Sequence, residues 1–144
     1  MGERERNAVF NSLSGVIFGA DVLDMFAGSG AVGLEALSRG ANSVTFIEND
    51  RAAREAIRLN LQSAGASAEV SPVIPRQKYD IIIADPPYDN PQYDLVAELP
   101  QYLKHKGTLV LSHPTEDDPP ELPGLALTDT RTYAGARIST YASI

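Results

Sequence analysis

The stretch Val22-Leu-Asp-Met-Phe-Ala-Gly-Ser-Gly-Ala-Val-Gly33 constrains this chain more than any other, because an apolar run ends there in a glycine-rich turn that opens a new helical pattern. Gly28, Gly30 and Gly33 stand at G-x-G-x-x-G spacing. Such spacing lets a backbone turn tightly after a strand, approach a ligand closely and pack the following helix against the sheet. Glu48 closes the next apolar run, Val44 to Ile47, where Rossmann-type folds keep a carboxylate for ribose hydroxyls. These marks predict a cradle for a nucleoside-containing cofactor, and a nicotinamide site would carry them too.

Two features separate the cofactors. Asp24 lies inside the strand end just before the glycines, where a buried negative charge would oppose a diphosphate. S-adenosylmethionine carries a sulfonium and an ammonium and no phosphate, so an acidic cradle suits it. The second feature is Asp85-Pro-Pro-Tyr88, directly after the most apolar strand candidate, Asp80 to Ala84. Two motifs on two strand ends make a site.

At 144 residues the chain is expected to form a single domain, residues 1–144, long enough to bury a core but without room for a separate substrate domain. The absence of Cys closes disulfide, thiolate-metal and catalytic-thiol chemistry. His105 and His113 have no ligand-like spacing, so no metal is expected and both are read as surface or loop residues. With no apolar leader and no run long enough to span a bilayer, a soluble, cytoplasmic, monomeric protein is expected. The net charge of −7 disfavours nucleic acid at long range. Four of the acids, Glu116, Asp117, Asp118 and Glu121, fall in one Pro-rich loop, which is expected to lie away from any RNA.

Taken in order, the chain alternates helix and strand. Glu3 to Leu13 reads as an amphipathic helix, with Val9, Phe10 and Leu13 inward and Arg4 and Arg6 outward. Strand Ala20 to Asp24 leads through the glycine turn to a helix from Ala31 to Arg39 that stops at Gly40, and strand Ser43 to Glu48 follows. Asp50 is the N-cap of a helix to about Ser63, with Ala53, Ile57, Leu61 and Ala64 as its buried stripe. Arg51, Arg54 and Arg58 line another face, readable as a phosphate strip or, preferably, as an ordinary solvated face. Ala68 to Ser71 is a weak strand, joined to the next by the Pro-interrupted connector Pro72 to Lys78, which has no room for a helix. After the Asp85 loop come a helix from Gln92 to about Lys104 and a buried strand, Gly107 to Ser112. The loop Pro114 to Gly124 leads to an antiparallel pair, Leu125 to Thr132 and Ala136 to Ser143, around Tyr133-Ala-Gly135. The fold class is α/β: a Rossmann-like sandwich with a mostly parallel sheet of seven strands or slightly fewer, an antiparallel C-terminal hairpin, and helices on both faces.

Asp24-x-Phe-Ala-Gly-Ser-Gly30, Gly33-Leu-Glu-Ala-Leu-Ser-Arg-Gly-Ala41, Glu48 and Asp85-Pro-Pro-Tyr88 together resemble the RsmD family of guanine-N2 methyltransferases acting on bacterial 16S ribosomal RNA. The likeness extends to Arg4-Glu-Arg-Asn-Ala-Val-Phe-Asn11 and to Arg131-Thr-Tyr-Ala-Gly-Ala-Arg137. It implies the class I methyltransferase fold and S-adenosyl-L-methionine as cofactor, held by Asp24, Phe26, Ala27, Gly28, Ser29, Gly30, Glu48 and Asn49. It also implies a catalytic loop of Asp85, Pro86, Pro87 and Tyr88, and ribosomal RNA as partner, within a small-subunit assembly particle. Two departures stand out. The family places a basic hairpin and a Thr-Arg-Pro-Thr-type stretch ahead of the Arg4 segment, and this chain starts too late to include them. After the third strand it has Ser71, where class I enzymes keep an acid or amide for the adenine amine.

The chemistry asks for what the Asp85 loop supplies. An exocyclic base amine is a poor nucleophile, since its lone pair is delocalised into the ring. The Asp85 carboxylate and the Pro86 carbonyl can accept its hydrogens, the two prolines stiffen the loop, and Tyr88 offers a ring to stack on an unstacked base. Guanine rests on the family likeness alone, because the same tetrapeptide resembles that of adenine-N6 enzymes. A trimmed, non-catalytic cofactor-binding module and a nicotinamide-dependent Rossmann enzyme are the other readings.

Overall fold

The computed structural model describes residues 1–144. In chain order its elements are α1 (Glu3–Ser12), β1 (Asp21–Met25), α2 (Ala31–Ser38), β2 (Ser43–Ile47), α3 (Arg51–Ser63), β3 (Glu69–Ser71), β4 (Tyr79–Ala84), α4 (Tyr93–Val96), β5 (Leu103–His113), β6 (Leu125–Thr132) and β7 (Arg137–Ser143). The strands form one seven-stranded sheet in the order β3-β2-β1-β4-β5-β7-β6. Pairing is parallel from β3 across to β5 and antiparallel at β7 and β6. This is the expected mostly parallel sandwich with its closing hairpin, whose turn is tied by the Tyr133 N–H donating to the Ala136 carbonyl at 2.7 Å. The strand order reverses between β1 and β4, which opens a crevice at their carboxyl ends.

Parallel strands buried on both faces require two apolar layers. On one face Val22, Val44, Phe46, Ile81 and Ile83 pack under α1, α2 and α3 through Val9, Phe10, Ala36, Ile57 and Leu61. On the other, Leu23, Ile82, Leu109 and Leu111 are covered by Val96, Leu99 and Leu122 with the partly buried Tyr93, Leu95 and Tyr102. Helices do lie on both faces, but unevenly. The helix expected from Gln92 to Lys104 is a single turn, α4, then a 3-10 turn at Leu99–Tyr102, and β5 already begins at Leu103. Pro100 explains the break in the α-helical ladder: it has no N–H to donate back to Val96. Leu103 then pairs with Tyr79, and a bulge precedes the Ile81–Thr108 pairing.

Local capping follows the sequence closely. The Ala53 N–H donates to Asp50 Oδ2 at 2.8 Å, closing the N-terminus of α3. Gly40, at φ 95°, ends α2, with the Ala41 N–H returning to the Ala36 carbonyl at 3.0 Å. Ile57 and Leu61 are buried as expected, whereas Ala53 is half-buried and Ala64, just past the last turn, is exposed. The arginine face of α3 is largely spent on its own fold: Arg54 donates to the Glu48 carbonyl and Arg58 to the Val70 carbonyl.

His105 is exposed, as expected, but His113 is not a surface residue. It is fully buried at the end of β5, with Nε2 2.8 Å from Ser139 Oγ and Nδ1 3.1 Å from the Pro114 carbonyl. Only an Nδ1–H can meet that carbonyl, and Nε2 shares the second bond with the Ser139 hydroxyl. Burial, aided by the charge of Arg137, pushes its pKa down. The register of β5 on β7 buries it, and that register is a tertiary fact.

Candidate active site

The carboxyl ends of β1, β2, β3 and β4 surround a cleft of about 780 Å³. Of the residues singled out in the sequence, Asp24, Phe26, Ala27, Gly28, Ser29, Glu48, Asn49, Asp85, Pro86, Pro87 and Tyr88 all line it. Gly30 does not: it is buried beneath the loop at φ 84°, with Ile57 3.2 Å from where a Cβ would stand. Lining residues not singled out for the site are Arg6, Val32, Ile47, Pro72, Gln92 and Leu95, among others. Arg6 was placed outward by the helical pattern, yet it is half-buried at the cleft and its nearest acid, Glu35, is 3.8 Å away. Its position depends on how α1 lies across the sheet, which periodicity cannot report.

The glycine turn is built from the strand outward. Phe26 leaves β1 at φ 64°, a left-handed geometry that costs a bulky residue energy and clusters at functional turns. The Ala27 N–H donates to the Ile47 carbonyl at 2.9 Å, and the Gly30 N–H to the Ala27 carbonyl at 2.8 Å. Gly30, the N-cap of α2, has no side chain, so Asp24 acts in its place: Oδ2 accepts the Gly33 N–H at 3.0 Å. Gly33 itself is required by packing, since a Cβ there would stand 2.2 Å from Phe46 Cε2.

Glu48 braces the loop from β2. Its Oε1 accepts the Gly28 N–H at 2.9 Å and its Oε2 the Asp50 N–H at 3.0 Å. Each oxygen keeps a second lone pair. Burial, with smaller contributions from the charges of Asp85 and Glu48, raises the Asp24 pKa to about 7 against the pull of the Gly33 N–H. A cationic ligand would relieve that accumulation of negative charge, and a diphosphate would worsen it.

Across the crevice β4 delivers Asp85, which is paired with the Met1 ammonium. Beyond the two prolines, Tyr88 is about one-third exposed and its hydroxyl shares a 2.5 Å hydrogen bond with Ser112 of β5. Ser71, at the end of β3, spends its hydroxyl on the next turn, donating to the Val73 carbonyl at 2.8 Å. The acidic loop is not remote: it leaves β5 at the same sheet end, and Tyr93, just after the Asp85 loop, donates to Asp117 Oδ2 at 2.5 Å.

Comparison with known proteins agrees with this fold. A family model described as "Conserved hypothetical protein 95" matches residues 1–142. Ribosomal RNA small subunit methyltransferase D of Haemophilus influenzae is 39% identical over 95 residues, 66% of this chain and 48% of that protein. The Escherichia coli K12 protein of the same name is 44% identical over 94 residues, 60% of this chain and 48% of its own length. The matches thus span about half the length of these curated relatives. A solved structure of Escherichia coli yhhF, described as a methyltransferase, superposes with a TM-score of 0.86 at 30% identity, covering 98% of this chain and 84% of that one. With the family model spanning nearly all its residues, the chain belongs to the RsmD-like family.

Proposed function

We propose that this cleft transfers a methyl group from S-adenosylmethionine to the exocyclic N2 amine of a guanine in 16S ribosomal RNA. The observation that carries the reading is the meeting, in one crevice, of an acid-rich nucleoside cradle on β1 and β2 with the Asp85-Pro-Pro-Tyr88 loop on β4. The names of the relatives support the rRNA substrate class.

The cradle fits the cofactor on its own chemistry. Glu48 retains lone pairs for a ribose diol, and Asp24, deep and beside two other acids, favours a cationic group. Arg6 is the guanidinium in the lining, and its 3.8 Å contact with Glu35 leaves it donors with which to meet a ligand carboxylate. When bound, S-adenosylmethionine supplies an electrophilic methyl on a sulfonium. The chain's residues do the rest. Asp85 and the Pro86 carbonyl accept hydrogen bonds from the base amine and return electron density to its nitrogen. Tyr88 holds the base by stacking once it has left its own stack. The alkylated amine is acidic enough to release its proton to Asp85 or to water, so no strong base is needed. The two prolines keep the acceptors in place at no further entropic cost.

Calorimetric titration with S-adenosylmethionine, S-adenosylhomocysteine and NAD, followed by methyl transfer from labelled cofactor to small ribosomal subunits, tests the reading. Binding of the first two only, with N2-methylguanine as product, is expected. N6-methyladenine would move the reading to the adenine class, and binding without transfer to a non-catalytic module. The Asp85→Ala variant is expected to lose transfer by at least about 100-fold while S-adenosylhomocysteine binds within about threefold of wild type. Equal loss of both would make Asp85 structural.

A further inference from the structure

We infer that Ser112 is a positioning residue for Tyr88, its buried hydroxyl holding the phenol so that the ring stands as a fixed wall of the cleft. The inference rests on the methyl-transfer reading of that cleft.

The Asp85 loop leaves the sheet where Ala84 pairs with Leu111, so Ser112 is the next residue of the neighbouring strand, level with Asp85. By strand alternation Ser112 points to the face of Val110, while His113 points to the opposite face. Ser112 is fully buried, and Tyr88 is the hydrogen-bond partner of its hydroxyl, at 2.5 Å across 24 residues of sequence. A buried hydroxyl without a partner is costly, so the contact is favoured from both sides. Tyr88 is otherwise lightly held: it sits past two prolines, about one-third exposed, and the nearest backbone tie is the Asn90 N–H to the Pro87 carbonyl at 3.1 Å. Two torsions orient a tyrosine ring; a bond at its far end fixes the first, which sets where the ring points, and leaves rotation about the ring's own axis to its packing. The loop's prolines set where the ring begins, and Ser112 sets where it ends. A base entering the cleft therefore meets a preset stacking surface. Without the tie it must order that surface as it binds.

Burial, opposed in part by the Ser112 bond and assisted by the charges of Asp85 and Glu5, holds the phenol above its usual pKa, so it remains a neutral donor or acceptor across the working range. Asp85 and Glu5 are the charged groups facing it from β4 and α1.

The experiment compares Ser112→Ala, Tyr88→Phe and the double variant with wild type. It measures kcat and KM for small ribosomal subunits and, separately, the calorimetric Kd for S-adenosylhomocysteine. Each single variant is expected to lower kcat/KM by about tenfold with the S-adenosylhomocysteine Kd within about twofold, and the double variant to be no worse than either. Tyr88→Phe keeps the ring, so it isolates the tie from the stacking. Wild-type activity in either single variant, or a double loss equal to the product of the single losses, overturns the inference and leaves the methyl-transfer reading standing. A parallel loss of S-adenosylhomocysteine affinity would make Ser112 structural and overturns it as well. Wild type that binds neither cofactor form nor transfers methyl overturns both.

Discussion

Asp24 faces opposite demands from folding and from the ligand binding proposed for it. Its carboxylate supplies the cap that Gly30 lacks, but burial keeps it protonated up to about pH 7. Folding therefore resists its ionisation. Below the unfolded value near 3.8 the acid is protonated in both states and costs nothing. Between there and about 7 the unfolded chain releases the proton and the folded one does not, so stability falls as pH rises, by on the order of 4 kcal/mol in all. Urea unfolding of wild type and Asp24→Asn should diverge across that window. The amide imposes a constant offset, and the pH-dependent loss vanishes with the carboxyl. A cationic ligand favours the ionised acid, so wild-type affinity for S-adenosylmethionine should rise from pH 6 to 8 while that of the variant stays flat. A flat wild-type profile would show that the charge does not reach the ligand.

At the scale of elements, α2 lies tightly on β2. Gly33 lets the helix lie on the Phe46 ring, and a methyl there would stand 2.2 Å from it. Gly33→Ala should destabilise by about 1–3 kcal/mol through overpacking, read as a lower urea midpoint at unchanged slope. Phe46→Leu in the same chain should recover part of the loss, because it clears the clash; strictly additive losses would place the strain elsewhere. This third glycine was legible from spacing alone, as were the Asp50 cap, the Gly40 stop and the period of α1, since each is a contract between neighbours in sequence. What was not legible lies between distant residues. Nothing near Leu103 announces that Tyr79 will draw it into a strand, although Pro100 is a helix breaker visible in the sequence. The burial of His113 against Ser139, the turn of Arg6 into the cleft and the Ser112–Tyr88 tie all depend on registers that the sheet decides.

For the whole molecule, the proposed reading requires a chain of net charge −7 to meet RNA. The arginines of α3 offer little, since Arg54 and Arg58 donate to backbone carbonyls of their own fold. The acidic loop stands at the cleft's end of the sheet, with Asp117 held by Tyr93 while Glu116, Asp118 and Glu121 are exposed. Asp118 lies 3.9 Å from Arg137, an exposed ion pair that offsets part of its charge at long range. These three charges repel phosphates over roughly a Debye length, about 10 Å at 0.1 M salt. Replacing them together by Gln, Asn and Gln touches no buried contact, so stability should stay within about 0.5 kcal/mol. Affinity for a 16S RNA fragment should rise several-fold at low salt, and the gain should disappear in molar salt, where screening removes the repulsion in wild type as well. An affinity unchanged at low salt would mean that the RNA approaches over α1 and the Arg6 side of the cleft. The loop's charge would then act on solubility alone.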